Sequence, residues 1–200
     1  MTHIFDEIVT SPVLGYSSKD ALSKPMRIDS ATNTIQTIEY EHHEIHAGSH
    51  FFIKSYQTLS INQVLDFTWL MPDTTKWIHW NFKIDTEAQT NWLVYENAAV
   101  VNALTAITPL NSDRNSLTAS VTTMKYKVQA NLAGANTDTN VTGATLILSG
   151  IVGAGREAGQ YQRVNEIILK KGILYCLRAV ATAAGYINFD MEWYEHTNVV

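Results

Sequence analysis

The sequence predicts an all-β protein, an antiparallel sandwich or barrel preceded by an irregular N-terminal arm. Two observations carry this reading. Apolar and polar residues alternate in segment after segment, the period of a strand with one buried face. Turn-forming clusters punctuate these segments at short intervals, as in "MPDTT", "NSDRNS", "AGANTDTN", "VGAGREAG", "KKG" and "AAG". Hardly any helical period intervenes, and strict alternation excludes a doubly wound parallel sheet, whose central strands would be continuous apolar runs.

In chain order, residues 1–34 form the arm. Pro12, Gly15 and Pro25 sit there among small polar residues without a sustained period; only a short helix around Lys19–Leu22 is compatible with the pattern. The sandwich domain spans 35–200. The segment 39–46 reads as a strand, followed by Phe51–Gln57. In "VLDFTWL", Leu65, Phe67 and Trp69 alternate with Asp66 and Thr68. In "KWIHWNFKID", Ile78, Trp80, Phe82 and Ile84 alternate with His79, Asn81 and Lys83. Trp92–Tyr95 is a further strand, whereas the Ala content of "AAVVNALTAI" (98–107) also permits a helix. Strands follow at Val121–Val128, Ala144–Leu148, Glu166–Lys170 and Ile173–Thr182. In the last, "INFDMEWYEH", Ile187, Phe189, Met191 and Trp193 face one way, and Asn188, Asp190 and Glu192 the other. No internal repeat or low-complexity tract interrupts the series.

Charged residues make up 16% of the 200 and hydrophobic ones 46%, with 5 Trp and 9 Tyr. Depleted charge with abundant aromatic rings fits a surface that faces other proteins, and a large core would give the same composition. The net charge of -5 and the lack of a basic stripe exclude free nucleic acid as a partner. Cys176 is the single cysteine, so no intrachain disulfide forms, and its apolar setting "GILYCLRAV" describes a buried, inert thiol. The first residues lack a signal-peptide pattern, and no apolar run has the length of a membrane span, so a soluble protein made in a cytoplasm is expected.

Four of the seven histidines, His42, His43, His46 and His50, lie in "EYEHHEIHAGSHFF" with Glu39, Glu41 and Glu44. On a strand, His42, Glu44 and His46 would share one face with His50 beyond Gly48, a donor set able to hold Zn, Fe or Mn. The spacing departs from the cupin metal motif, which has two histidines two apart and a glutamate after them. The other reading is a hydrogen-bonded group of imidazoles and carboxylates around a turn or a subunit contact, and it leaves no metal among the expected ligands. "GIVGAGREAG" is neither a dinucleotide fingerprint nor a phosphate loop and reads as a hairpin loop. No nucleophile motif is present, and the carboxylates of "EYEHHE" and "DMEWYE" fall on polar strand faces. "TPLNSDRNSLTAS" is dense in side chains that bond backbone in turns. Its Arg114 could serve as a bidentate fork for a carboxylate.

Read in order, "EYEHHEIHAGSHFF" (39–52), "PLNSDRNS" (109–116), "LILSGIVGAGREAG" (146–159), "NEIILKKGILYCLRAVA" (165–181) and "INFDMEWYEHT" (187–197) resemble a family of small structural proteins of tailed bacteriophages. The resemblance covers roughly residues 38–197, and the arm matches no motif of it. It implies a jelly-roll β-sandwich in the virion, described in that family as a capsid decoration (cement) or head-fibre protein. The expected partners are the major capsid protein and further copies of the chain as a homotrimer, with neither membrane nor free nucleic acid. The expected location is the capsid exterior, with no cofactor and no enzymatic activity. His46, Gly48 and His50 match the family segment. On this reading Glu44, His46 and His50 fasten the sheet edge and the next turn, against a closing strand that carries Glu195 and His196. The arm, residues 1–30, would attach to the capsid. Two other classes stay in view: a tail, fibre or glycan-binding module stacking sugars on exposed Trp and Tyr, and a cupin-type enzyme with metal on His42, His46 and His50.

Overall fold

The alternating segments form strands in the computed structural model of the chain, which describes residues 14–16, 23–25, 40–100, 103–129, 141–142, 144–153 and 159–197. Two units are distinguished, Met1–Tyr40 with Val199–Val200, and Glu41–Asn198. In the first, Leu14–Tyr16 (β1) pairs antiparallel with Ser23–Pro25 (β2), so the segment expected to be irregular contains a small ribbon. The helix considered around Lys19–Leu22 lies outside the described residues.

A helix, Tyr40–His46 (α1), which belongs to the second unit from Glu41 onward, precedes the strands of that unit. These are His50–Leu59 (β3), Val64–Leu70 (β4), Lys76–Thr86 (β5), Thr90–Glu96 (β6), Ala99–Val100 (β7), Thr105–Ile107 (β8) and Leu110–Asn111 (β9). Then come Thr123–Gln129 (β10), Val141–Thr142 (β11), Thr145–Val152 (β12), Gly159–Gln162 (β13), Ile167–Leu169 (β14), Leu174–Ala181 (β15) and Gly185–Thr197 (β16). The stretch 98–107, where a helix was compatible with the composition, contains β7 and β8 instead. Tertiary pairing decides it: β7 hydrogen-bonds β11, and β8 hydrogen-bonds β10.

Two antiparallel sheets pack face to face. One has the order β12-β6-β15-β4-β10-β8; the other runs β13-β5-β16-β3-β9, with β14 also paired to β5. The successive strands β3, β4, β5 and β6 fall alternately in the two sheets, and so do β12, β13 with β14, β15 and β16. That winding is the jelly-roll form of the β-sandwich. The final strand lies inside its sheet, with Trp193 opposite both Phe51 of β3 and Trp80 of β5.

The space between the sheets is filled with rings. Trp69 stacks on Trp80 at 4.8 Å and on Tyr175 at 5.8 Å, while Phe67 meets Phe189 edge-on at 4.8 Å. All five are essentially without solvent exposure. Each such side chain contributes roughly 1.5–3 kcal/mol by leaving water. Gly150 on β12 is required by this packing, since a Cβ there would lie 2.6 Å from the indole of Trp92. Burial also extends beyond the inner face. Asp66, Thr68 and Cys176 alternate away from the core rings yet are fully enclosed, which the alternation of β4 alone would not indicate.

Candidate functional site

The histidine-rich stretch is helical where a strand was expected. Its end explains why. Gly48 has φ of 69°, its N–H donates to the Ile45 carbonyl at 3.0 Å, and the Ser49 N–H donates to the Glu44 carbonyl at 3.0 Å. This pair of bonds is a Schellman termination, with glycine in the left-handed position after the last turn. Glu41 in the first turn and His43 and His46 in the last complement the helix dipole. A helix brings residues four apart together, so His42 and His46 meet, Nε2 to Nε2 at 2.9 Å, on an exposed face. His46 therefore faces His42 rather than the closing strand.

Gly48 directs the chain into β3, and the residues expected to share a face separate here. Glu44 is buried, and its carboxylate accepts a hydrogen bond from the Ser49 hydroxyl. The Ser49 carbonyl accepts from the Glu195 N–H at 2.9 Å, which joins the helix end to β16. His50 is also buried and opposes Tyr194. Its Nδ1 lies 2.6 Å from Ser112 Oγ, and its Nε2 lies 3.6 Å from a carboxylate oxygen of Glu41. Glu192 of β16 completes this group: one ligand atom each from Glu41, His50 and Glu192 lie within 4.8 Å of one another. The set considered from sequence, His42, His46 and His50, is not the one gathered.

Two charge effects mark the group. Burial holds the His50 imidazole below its ordinary pKa, against the opposing pull of Glu41 and Glu44. Desolvation first, and then the carboxylates of Asp190 and Glu41, push the Glu192 carboxyl upward. A neutral imidazole thus faces two carboxylates that repel each other.

The 111–118 loop braces this junction from the other side. Asn111 is buried and donates to the Gly48 carbonyl at 2.8 Å and to the Thr118 carbonyl at 3.1 Å. Asp113 N–H donates to Asn111 Oδ1 and Asn115 N–H to Asp113 Oδ1, both at 2.9 Å, the turn chemistry its composition indicates. Among the described residues Arg114 makes no carboxylate fork of the expected kind; it is exposed and donates to the Asn111 carbonyl at 3.4 Å.

Glu195 and His196 lie on opposite faces of β16. Glu195 continues the inward series of Phe189, Met191 and Trp193 and is buried rather than solvated as its segment's polar face was expected to be. Its carboxylate accepts from Ser120 Oγ at 2.5 Å, Val121 N–H at 3.0 Å, Thr122 N–H at 3.3 Å, Thr122 Oγ1 at 3.1 Å and Trp193 Nε1 at 3.1 Å. Lys76 Nζ stands 3.5 Å away. His196 points outward, its Nε2 2.9 Å from His79 Nε2. His79 Nδ1 is 2.7 Å from Glu166, which also accepts from the Tyr194 hydroxyl at 2.7 Å.

The space between the sheets holds tryptophan and phenylalanine rings, and the described histidines lie outside it. Trp69, Trp80, Trp92 and Trp193 are buried, which weakens a glycan platform built on them. Trp77 is half-buried, with the Lys171 ammonium 4.7 Å above its ring. Cys176 is enclosed, with Sγ 3.6 Å from Asp66 Oδ1. Among the described residues no helix is long and apolar enough to cross a membrane. Residues 154–158 of the glycine-rich stretch lie outside the described residues. Comparisons with protein-family models, curated proteins and solved structures found no match.

The sequence places Glu41 in the histidine-rich stretch without assigning it to the candidate ligand set, Glu192 on a solvated strand face, and Ser112 among turn formers. The missing signal was the neighbourhood of β3 and β16, which sets Glu192 opposite Phe52, two residues past His50. Gly48 after an His/Glu run was the available sign of a helix end.

Proposed function

We propose that the protein is a bacteriophage virion structural protein, a capsid decoration (cement) protein that binds the assembled head and stabilises it by repeated subunit contacts. The family resemblance of the motifs is its starting point, and the solid interior of the sandwich supports a role carried by surfaces. The observation that carries it furthest is the edge strand β12, "TLILSGIV". This strand ends the six-stranded sheet and exposes Leu146, Ile147 and Ile151, the last at 65%. An apolar edge strand presents both a greasy face and a row of backbone donors and acceptors to a neighbouring subunit. Copies arranged as a homotrimer on the major capsid protein would repeat one modest interface many times, and avidity would multiply it without new chemistry. The arm, residues 1–30, is assigned to capsid attachment on this reading, and would lose entropy on ordering there.

The test is uptake of the purified chain by phage heads assembled without it. Saturable binding with a fixed copy number and a raised disruption temperature is expected. The Leu146→Asp/Ile151→Asp variant should fold and bind at least tenfold more weakly, about 1.4 kcal/mol. Removal of residues 1–30 should leave a folded domain that no longer binds heads. A monomeric chain that no head lattice takes up overturns the proposal, and adsorption to cells or sugars instead would favour the tail-module class.

A further inference from the structure

The junction of α1, β3 and β16 carries an inference independent of any virion role. We propose that Glu41, His50 and Glu192 bind one divalent transition cation, with zinc as the representative ion, and that the cation clips α1 to the first and last strands of the sandwich.

The geometry is close to what such an ion needs. Zinc takes imidazole nitrogen and carboxylate oxygen at about 2.0–2.2 Å, so ligand atoms of a tetrahedral site lie about 3.4 Å apart. His50 Nε2 and Glu41 Oε1 are already 3.6 Å apart, and all three ligand atoms lie within 4.8 Å of one another. Closing the remainder takes about 1 Å of carboxylate movement by side-chain rotation. Glu41 and Glu192 are exposed and free to make it, whereas the His50 side chain is only 6% exposed and stays fixed.

The imidazole is oriented as a ligand. In the tautomer whose Nδ1–H donates to Ser112 Oγ, 2.6 Å away, Nε2 turns its lone pair toward the two carboxylates, and a cation there would select that tautomer. A hydrogen bond on the far nitrogen is the usual device that sets tautomer and ring angle in metal-binding histidines. The loop holding Ser112 is itself anchored, since the Ser112 N–H donates to the His50 carbonyl at 2.9 Å. The electrostatics agree: the imidazole is held neutral by burial, and the mutual repulsion of Glu41 and Glu192 is a cost that a cation would remove. Three protein ligands leave a fourth position for water or a partner's side chain.

The exposed His42 and His46 pair, 2.9 Å apart, is the rival zinc ligand and is separable by mutation. Full-length chain stripped with EDTA is titrated calorimetrically with zinc chloride, and thermal unfolding is followed with and without the ion. One equivalent is expected to bind and to raise the melting temperature. Glu41→Gln/Glu192→Gln changes only exposed side chains; its circular dichroism should match wild type, and its zinc affinity should fall by more than ~100-fold, the upper range for disturbing outer-shell partners alone. His42→Ala/His46→Ala should retain the equivalent and the thermal shift. Failure of the wild-type chain to bind zinc overturns the proposal. So does binding that survives Glu41→Gln/Glu192→Gln and disappears in His42→Ala/His46→Ala.

Discussion

Glu195 is the side chain whose replacement should unsettle the domain most for its size. Its carboxylate is wholly enclosed and is the acceptor for the Val121 and Thr122 N–H groups and the Trp193 indole N–H. The Ser120 and Thr122 hydroxyls can turn elsewhere when the acceptor goes, and the Thr122 N–H keeps Ser120 Oγ at 3.0 Å, but the Val121 N–H and the Trp193 indole N–H lose their acceptor. Each buried donor left without an acceptor costs about 1–3 kcal/mol. Glu195→Ala should therefore destabilise by about 3–5 kcal/mol, allowing for water entering the space. Glu195→Met, which refills the volume but accepts nothing, should lose nearly as much. Glu195→Gln can keep the oxygen facing Trp193 and Thr122 while placing an amide N–H against Val121 and Lys76, so a loss of about 2 kcal/mol is expected. Urea unfolding followed by tryptophan fluorescence and far-ultraviolet circular dichroism gives the values, with the slope unchanged and the midpoint lowered. In thermal melts a domain of this size shifts by about 2–4 °C per kcal/mol. Some buried charges are replaced by hydrophobic residues with a gain in stability. A Glu195→Met variant as stable as wild type would put Glu195 in that class and refute the view that it organises the 120–122 turn.

Asp66 offers a parallel case. Arg178 Nε donates to it at 2.8 Å and Gln129 Nε2 at 2.8 Å, so Asp66→Ala should cost about 3–5 kcal/mol, while Asp66→Leu/Arg178→Met should recover much of that loss in urea unfolding. Gly48→Ala should lose about 1–3 kcal/mol in the same assay, because a left-handed residue would carry a Cβ 2.5 Å from Ser116 Oγ. The Tyr175 hydroxyl donates to Glu96 at 3.0 Å, and its pKa is pushed up to about 12, by burial above all and then by Glu96 against the opposing Lys170 N–H bond. Between its unfolded value near 10 and about 12 the unfolded chain has released a proton that the folded one retains, so stability falls as pH rises. Tyr175→Phe should flatten that alkaline decline in unfolding measured from pH 9 to 11.5, and ultraviolet titration should show one tyrosine ionising late.

The strands were legible where one face meets the core and the other meets water. β5 and β16 are such strands, and their inward residues are those the alternation selected. β4 was legible as a strand but not as one enclosed on both faces, since Asp66 and Thr68 are polar and only their tertiary partners show that they are buried. The helix was misread because seven residues give too short a window for a 3.6-residue period, and alternating His and Glu imitate period two. Glu195 was misread for the opposite reason: its position in the alternation pointed inward, and its charge argued outward. Its donors lie in the 120–122 turn, which only the folded chain brings near. The Glu41, His50 and Glu192 group depends on β3 and β16 being neighbours. A resemblance that suggested their proximity could not identify which side chains would face each other.

The position of β16 also bears on how the chain is made. Residues 185–197 lie between β3 and β5, and β15 likewise lies between β4 and β6. While a ribosome is still translating the first 170 residues, neither sheet has its central member, and four long strands wait with open edges. Closing a loop that spans most of the domain is entropically slow, and topologies ruled by distant pairings fold slowly. The sandwich is therefore expected to form in one late cooperative step, once residues 185–197 are available, with the nascent chain vulnerable to aggregation until then. Trapped nascent chains of increasing length, probed by limited proteolysis, should become resistant only once residue 197 has cleared the exit tunnel.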